Sequence, residues 1–186
     1  FLEYIIQNFS KYNFENIYIL TGYKSKIIYK KFHNKIYNFT NITCIKEKNL
    51  MGTGGALYKL KKLKKNDFIL VNGDTIFDIN IKSLIDSTKK DTIASVALIK
   101  NNINKRNIKL NNLDVKNGVI IKRGKAGFMN GGVYFFKKKI FKYIKNKNLS
   151  LEEDIFPKLI AAKEISGKVF KKFFIDIGTP ADYKKA

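Results

Sequence analysis

Asp67-Phe68-Ile69-Leu70-Val71-Asn72-Gly73-Asp74-Thr75-Ile76-Phe77 is the stretch on which the reading of this chain turns. Four apolar residues running into Asn-Gly-Asp predict a strand buried on both faces that ends in a turn carrying a carboxylate. In an open α/β sheet, ligands gather just beyond the carboxyl ends of the strands, which puts Asp74 where chemistry is commonly done. The same residues also suit a plain polar turn, because Asn, Gly and Asp favour turns on their own account. The rest of the sequence decides between the two.

Upstream of this strand the pattern alternates. Residues 1, 2, 5, 6 and 9 describe one apolar helical face. Residues 16–20 read as a strand, Thr21-Gly22-Tyr23 as a turn, and residues 24–33 as a helix. A strand over 42–45 leads into Gly52-Thr53-Gly54-Gly55-Ala56-Leu57, which opens a helix running to about Leu63, and a short helix over 81–87 follows the central strand. This rhythm predicts βαβ units and a mainly parallel sheet, an α/β class. The glycine-rich turn lets a ligand approach the backbone and offers N–H donors, although it fits neither the dinucleotide nor the phosphate-loop fingerprint, and a tight strand-to-helix turn is its plain alternative.

Composition narrows the classes. At 186 residues, 45% of them hydrophobic, the chain suits one globular domain. No apolar run reaches the roughly 18–20 residues that cross a bilayer and no signal peptide is evident, so a soluble, cytoplasmic protein is expected. Cys44 is alone, which excludes a disulfide and a cysteine metal site and reads as a buried thiol. The single His33, at a helix end among lysines, reads as a solvated or capping residue rather than a base. The net charge of +22 raises nucleic-acid binding, but the lysines are scattered and arginine is scarce, so the excess reads as a compositional bias that favours anionic small substrates.

Downstream, residues 92–99 read as a strand and 100–109 as a polar loop. Lys116-Asn117-Gly118 between Leu113-Asp114-Val115 and Val119-Ile120-Ile121 predicts a hairpin. A buried strand over 131–136 precedes a helix over 137–145. Ser150 then caps a further helix, with Glu153 as its capping-box partner. Strands over 168–170 and 173–176 and a helix from about Pro180 close the chain. Asp176, like Asp74, ends an apolar strand beside glycine, and two converging carboxylates suit Mg²⁺, which binds a few carboxylates together with substrate phosphate oxygens.

Five stretches taken together resemble the sugar-1-phosphate nucleotidyltransferases, also called nucleoside-diphosphate-sugar pyrophosphorylases. They are Gly52-Thr53-Gly54-Gly55-Ala56; Asn72-Gly73-Asp74; Asn130-Gly131-Gly132-Val133-Tyr134; Ser150-Leu151-Glu152 with Asp154 and Pro157; and Phe174-Ile175-Asp176-Ile177-Gly178-Thr179-Pro180 with Asp182-Tyr183. The resemblance covers nearly the whole chain. It implies a Rossmann-like, GT-A-like mixed sheet flanked by helices. It also implies a reaction in which a sugar 1-phosphate oxygen attacks the α-phosphorus of a nucleoside triphosphate and pyrophosphate leaves, chemistry that needs positioning and charge neutralisation rather than a covalent nucleophile. By motif position it assigns Mg²⁺ to Asp74 and Asp176, the nucleotide to Gly52, Thr53, Gly54, Gly55 and Gly73, and sugar hydroxyls to Asn130, Gly131 and Glu152. Within the family the motifs look most like short bacterial enzymes that activate mannose 1-phosphate or D-glycero-D-manno-heptose 1-phosphate with GTP, for surface polysaccharide synthesis. Small members commonly self-associate.

The sequence departs from the family pattern in two places. The signature loop, a strand followed by Gly-Gly-x-Gly-Thr-Arg and a later Lys-Pro, belongs directly upstream of a helix like residues 1–9. The expectation is therefore one domain over 1–186, N-terminally incomplete, with little or no turnover by itself. Many relatives carry Arg-Tyr-Gly before the hairpin and Phe-x-Glu-Lys after it, the lysine touching the sugar phosphate. Here Arg106-Asn107-Ile108 and Ile120-Ile121-Lys122-Arg123-Gly124-Lys125 stand instead, so Lys122, Arg123 and Lys125 are all candidates for that contact. Two other readings stay open at this point: a binding-only remnant of the family, and a basic nucleic-acid-binding protein.

Overall fold

The computed structural model describes residues 1–47, 52–61, 66–100, 112–124, 127–145 and 148–184. The helix end expected near Leu63, most of the polar loop expected over 100–109 with Arg106-Asn107-Ile108, and Lys125 lie outside them. The chain forms two compact units, Phe1–Gly52 and Thr53–Ala186.

The first unit contains α1 (Leu2–Ser10), β1 (Asn16–Thr21), α2 (Ser25–Phe32), β2 (Lys35–Tyr37) and β3 (Thr40–Lys46). Its sheet runs β1-β3-β2, with β1 parallel to β3 from Asn16↔Asn41 to Thr21↔Lys46 and β2 antiparallel to β3. Strand β3 alternates as a half-covered strand should, burying Thr40, Ile42 and Cys44. Ile42 and Cys44 join Ile6 of α1 and Phe32 of α2 in one cluster, against which Leu2, Ile17, Ile19 and Ile28 pack. Cys44 is the buried thiol expected, and burial pushes its pKa up. His33 ends α2, where its Nδ1 accepts the Cys44 backbone N–H at 3.1 Å and its ring stacks on Tyr29 at 4.0 Å. Its ring nitrogen is thereby committed to holding α2 against β3. Strand β2 has no counterpart in the sequence reading: it is three residues long, between Asn34 and Asn38, both in the left-handed region.

The second unit holds α3 (Gly52–Leu60, its first residue shared with the end of the first unit), β4 (Phe68–Val71), β5 (Thr75–Phe77), α4 (Ile81–Asp86), β6 (Ala94–Lys100), β7 (Asn112–Lys116), β8 (Val119–Gly124) and β9 (Phe128–Phe136). A 3-10 turn (Lys138–Lys142), a π turn (Leu151–Ile155), α5 (Phe156–Ala161), β10 (Ile165–Phe170), β11 (Phe174–Asp176) and α6 (Pro180–Tyr183) complete it. Six strands form one sheet in the order β4-β9-β6-β10-β8-β7, and β7 also meets β9 through Leu113↔Phe128. A separate two-stranded ladder joins β5 to β11. Fully buried Leu57, Leu84, Leu98, Ile120, Tyr134, Phe136 and Phe156 fill the interior, and each large apolar side chain contributes about 1.5–3 kcal/mol by leaving water.

This is the mixed α/β class expected, with a different balance of strand directions. Two described pairings are parallel, β1 with β3 and β10 with β6, whereas β4, β6 and β7 each pair antiparallel with β9. The antiparallel share comes from the 117–118 hairpin and from β9 threading between β4 and β6, a non-local pairing that local periodicity does not report. The expected double burial also moves. Strand β6 is buried on both faces from Ala94 to Leu98, whereas β4, at the end of the six-strand order, buries Phe68 and leaves Ile69, Leu70 and Val71 half-buried.

Candidate active site

The turn after β4 is held from three directions. Asn72 donates its N–H to Gly132 O at 2.9 Å, Thr75 Oγ1 donates to Asp74 Oδ1 at 3.2 Å, and Asp74 O accepts the Ile177 N–H at 2.9 Å. The last bond belongs to the β5–β11 ladder, whose register sets Asp176 opposite Thr75. Asp176 Oδ1 accepts the Gly178 N–H at 2.7 Å. A methyl group built on Gly178 would lie 2.9 Å from Asp176 Oδ1 and 3.7 Å from Asp74 Oδ2, so both carboxylates border the space that this glycine leaves open. Two oxygen donors in one small space fit a divalent cation of the Mg²⁺ type, which takes few protein ligands and completes its shell with water and phosphate oxygens. Among the described residues no larger group of His, Cys, Asp or Glu gathers to form a closed cage.

Strand β9 reaches this turn because glycines let it. Its ladder with β6 shifts register between Val96 and Leu98, a bulge that leaves Gly131 and Gly132 free of regular pairing. Gly132 has a φ of +71°, and a Cβ there would meet Asn72 Nδ2 at 3.1 Å and Thr75 Oγ1 at 3.2 Å. At Gly131 a side chain would run into the Phe77 ring and sit 2.9 Å from Ala97 O. Gly131, expected at the sugar, is buried under Phe77, which leaves no room there for a side chain. Asn130, half-buried, turns its Oδ1 to the Gly132 N–H at 3.1 Å.

Glu152 is presented by a wide turn rather than by a regular helix. Ser150 caps it, its hydroxyl accepting the Glu153 N–H at 3.1 Å, as expected. The reciprocal bond comes from Asp154, whose Oδ2 accepts the Ser150 N–H at 2.7 Å, and not from Glu153, which pairs with Arg123 at 2.8 Å. Phe156 N–H reaches back to Leu151 O in the π pattern, and Pro157, without an N–H, cannot serve Glu153 O. Glu152 O, which a regular helix would have given to Phe156, instead accepts a hydrogen bond from Arg123 Nη1. Arg123 was a candidate for the sugar phosphate; it clamps this turn, and the Glu153 carboxyl sits below its ordinary range because of that guanidinium.

The glycine-rich turn of α3 is locked to the same segment. Gly55 donates its N–H to Leu149 O at 2.9 Å, so the free donor expected there is already used. A Cβ on Gly54 would sit 2.9 Å from Leu149 O and 3.0 Å from Ile155 Cδ1. Thr53 Oγ1 accepts the Leu151 N–H at 3.0 Å and donates to Glu152 Oε2 at 3.2 Å, where the Ser150 hydroxyl also donates at 3.2 Å. Thr53 thus ties the stretch assigned to the nucleotide to the stretch assigned to the sugar. Gly52, with φ of +71°, is exposed at the helix start, and Gly73 is exposed with open space where a side chain would stand. Lys122 is exposed on β8 opposite Asp114, and Lys125 lies outside the described residues.

The residue that sequence reasoning missed is Tyr134. It is fully buried in β9, and its hydroxyl accepts from Asn130 Nδ2 at 2.8 Å and donates to Glu152 Oε1 at 3.4 Å. Burial, reinforced by the Glu152 carboxylate, pushes the phenol well above the ordinary tyrosine range. A signal was available: a tyrosine in an otherwise apolar strand must find a partner for its hydroxyl.

The arrangement offers two carboxylates at a turn, a carboxylate and an amide held on a buried network, and glycines that let backbones close in. The Nucleotidyl transferase family model matches residues 1–108, more than half of the chain. The D-glycero-alpha-D-manno-heptose 1-phosphate guanylyltransferase of Aneurinibacillus thermoaerophilus is 31% identical, over 100% of this chain and 83% of that protein. Among solved structures, HddC from Yersinia pseudotuberculosis superposes with a TM-score of 0.84 at 26% identity, covering 100% of this chain and 83% of that one. The same protein complexed with GMP-PN gives a TM-score of 0.79 at 25% identity with the same coverage. Matched along its full length by such relatives, and carrying the five stretches within one fold, this chain belongs to the nucleotidyl transferase family.

Proposed function

We propose that this protein joins a sugar 1-phosphate to a nucleoside triphosphate, with GTP as nucleotide and a manno-configured hexose or heptose 1-phosphate as sugar, releasing pyrophosphate. The observation that carries this reading is the pair Asp74 and Asp176, brought to one space by the β5–β11 ladder beside the network that holds Asn130 and Glu152. A sugar phosphate oxygen attacks the α-phosphorus and the bond to the β-phosphate oxygen breaks, so the protein must align phosphates and balance their charge. Asp74 and Asp176 would hold Mg²⁺, which neutralises phosphate charge when bound. Glu152 and Asn130 accept from and donate to sugar hydroxyls, and Lys122, exposed on β8, is assigned to the sugar phosphate. The choice of GTP and of a manno-heptose is supported by the relatives just described, one a heptose 1-phosphate guanylyltransferase and one crystallised with GMP-PN.

The test is pyrophosphate release across GTP, CTP, UTP, ATP and dTTP against mannose 1-phosphate, glucose 1-phosphate and D-glycero-D-manno-heptose 1-phosphate, with Mg²⁺ present. The expected result is turnover with GTP and a manno-configured sugar. Tight binding of these substrates with no pyrophosphate released would instead favour a binding-only member of the family.

A further inference from the structure

Two of the recognition stretches meet on one phenol, through Asn130 and Glu152. The Tyr134 ring stacks near Phe136 and stands edge-on to Phe156, each at 5.9 Å. Phenylalanine would fill that space equally well, so apolar packing does not require the hydroxyl. A phenol donates one proton and accepts through its lone pairs, and here the Glu152 carboxylate takes the proton while the Asn130 amide donates to a lone pair. The direction of each bond follows: the Asn130 amide points in, and the phenol proton points at Glu152 Oε1. The other carboxylate oxygen is taken by the hydroxyls of Thr53 and Ser150, so Glu152 is pinned from both sides. Asn130 is pinned likewise, its Oδ1 on the Gly132 N–H and its Nδ2 on the phenol.

We infer that Tyr134 is a positioning residue for sugar recognition: without touching substrate, its hydroxyl sets the Glu152 carboxylate and the Asn130 amide in the orientation that receives the sugar hydroxyls. The inference rests on the sugar-1-phosphate reading above. Because burial holds the phenol protonated, it is a donor to Glu152 at any working pH. The turn that carries Asp74 is tied to the same strand through the backbone, by Asn72 N–H on Gly132 O.

The test is Tyr134→Phe, which keeps the ring, assayed with GTP and the accepted sugar 1-phosphate. A hydrogen bond to a charged group is strong enough that its loss should raise the KM for the sugar 1-phosphate about ten-fold or more. The KM for GTP should stay within about two-fold. In a Glu152→Gln background the same change should cost much less, because the effect passes largely through Glu152. An unchanged sugar KM, equal rises in both KM values, or full additivity with Glu152→Gln overturns the inference. So does a Tyr134→Phe variant that circular dichroism shows unfolded, since the hydroxyl would then be a folding requirement. If the unaltered protein neither turns over nor binds any sugar 1-phosphate in calorimetry, the functional reading fails and the inference falls with it; turnover with an insensitive Phe variant overturns the inference alone.

Discussion

Replacing Gly54 by Ala sets two physical effects against each other. Gly54 lies within α3, where alanine is the better helix former by about 1 kcal/mol, so propensity alone makes the variant more stable. The added methyl, however, would sit 2.9 Å from Leu149 O, 3.0 Å from Ile155 Cδ1 and 3.2 Å from Leu149 Cβ. Leu149 O is backbone and cannot rotate aside, so α3 and the 149–155 segment must move apart by several tenths of an ångström. Three bonds cross that seam: Gly55 N–H to Leu149 O at 2.9 Å, Leu151 N–H to Thr53 Oγ1 at 3.0 Å and Thr53 Oγ1 to Glu152 Oε2 at 3.2 Å. Overpacking costs about 1–3 kcal/mol, and each weakened hydrogen bond adds up to about 1 kcal/mol. Sterics therefore outweigh propensity, and the net loss should be about 1–3 kcal/mol. Urea unfolding followed by far-UV circular dichroism should show a midpoint lower by roughly 1 M, and the KM for the sugar 1-phosphate should rise because the donor on Glu152 is displaced. A variant at least as stable as the parent, with an unchanged KM, would refute the claim that Gly54 is there for close approach.

Asp74→Asn and Asp176→Asn should each abolish pyrophosphate release at saturating Mg²⁺ while leaving the circular dichroism spectrum unchanged; near-normal turnover in either removes it from the metal assignment. Arg123→Lys keeps the charge, but one ammonium cannot serve both Glu152 O and the Glu153 carboxylate as a guanidinium fork does. It should raise the sugar KM a few-fold, whereas Lys122→Ala should act through the sugar phosphate; a silent Arg123→Lys leaves the clamp without support. The Glu164 carboxyl is held below its ordinary value of 4.5 by its hydrogen bond from Lys142, with a further one from Tyr143. A carboxyl depressed in the folded state stabilises above its unfolded pKa, and that contribution is lost as pH falls through the folded value. Glu164→Gln should therefore lower the Tm by roughly 1–3 °C near neutral pH, the Lys142 end of the pair being exposed. The gap between variant and parent should close once the pH is well below 4.5, and a constant gap across that range would contradict the assignment.

The features legible in the sequence are those governed by neighbours along the chain. Asn117-Gly118 gives a hairpin because both residues accept positive φ, at 52° and 77°, and Ser150 caps because its hydroxyl needs only the N–H three residues on. Asp74 and Asp176 were recognisable as strand-end carboxylates, and the β5–β11 register brings them to one space. What was not legible depends on partners distant in sequence. The capping box named Glu153, but Arg123 of β8 took that carboxylate and Asp154 replaced it. The free N–H donors expected of the glycine-rich turn fail at Gly55 because Leu149 O lies against it. Tyr134 stands in a quoted motif, and although a tyrosine in an apolar strand signals a buried hydroxyl, its partner Glu152 comes from the separate 150–155 turn.

The ladder that brings Asp176 to Asp74 is short: Phe174↔Phe77, Ile175↔Ile76 and Asp176↔Thr75, tied at its end by Ile177 N–H to Asp74 O. Two strands alone are marginal in water, so what anchors this pair is the Phe77 ring, set edge-on to Phe174 at 5.3 Å and to Phe170 at 6.0 Å. In hydrogen-exchange terms, its amides should open at lower free energy than those of β6 and β9, without unfolding the sheet. Anything that grips both carboxylates must hold that opening shut. Occupancy of the site should then be readable as slowed exchange at Ile175 and Ile177, independently of any turnover.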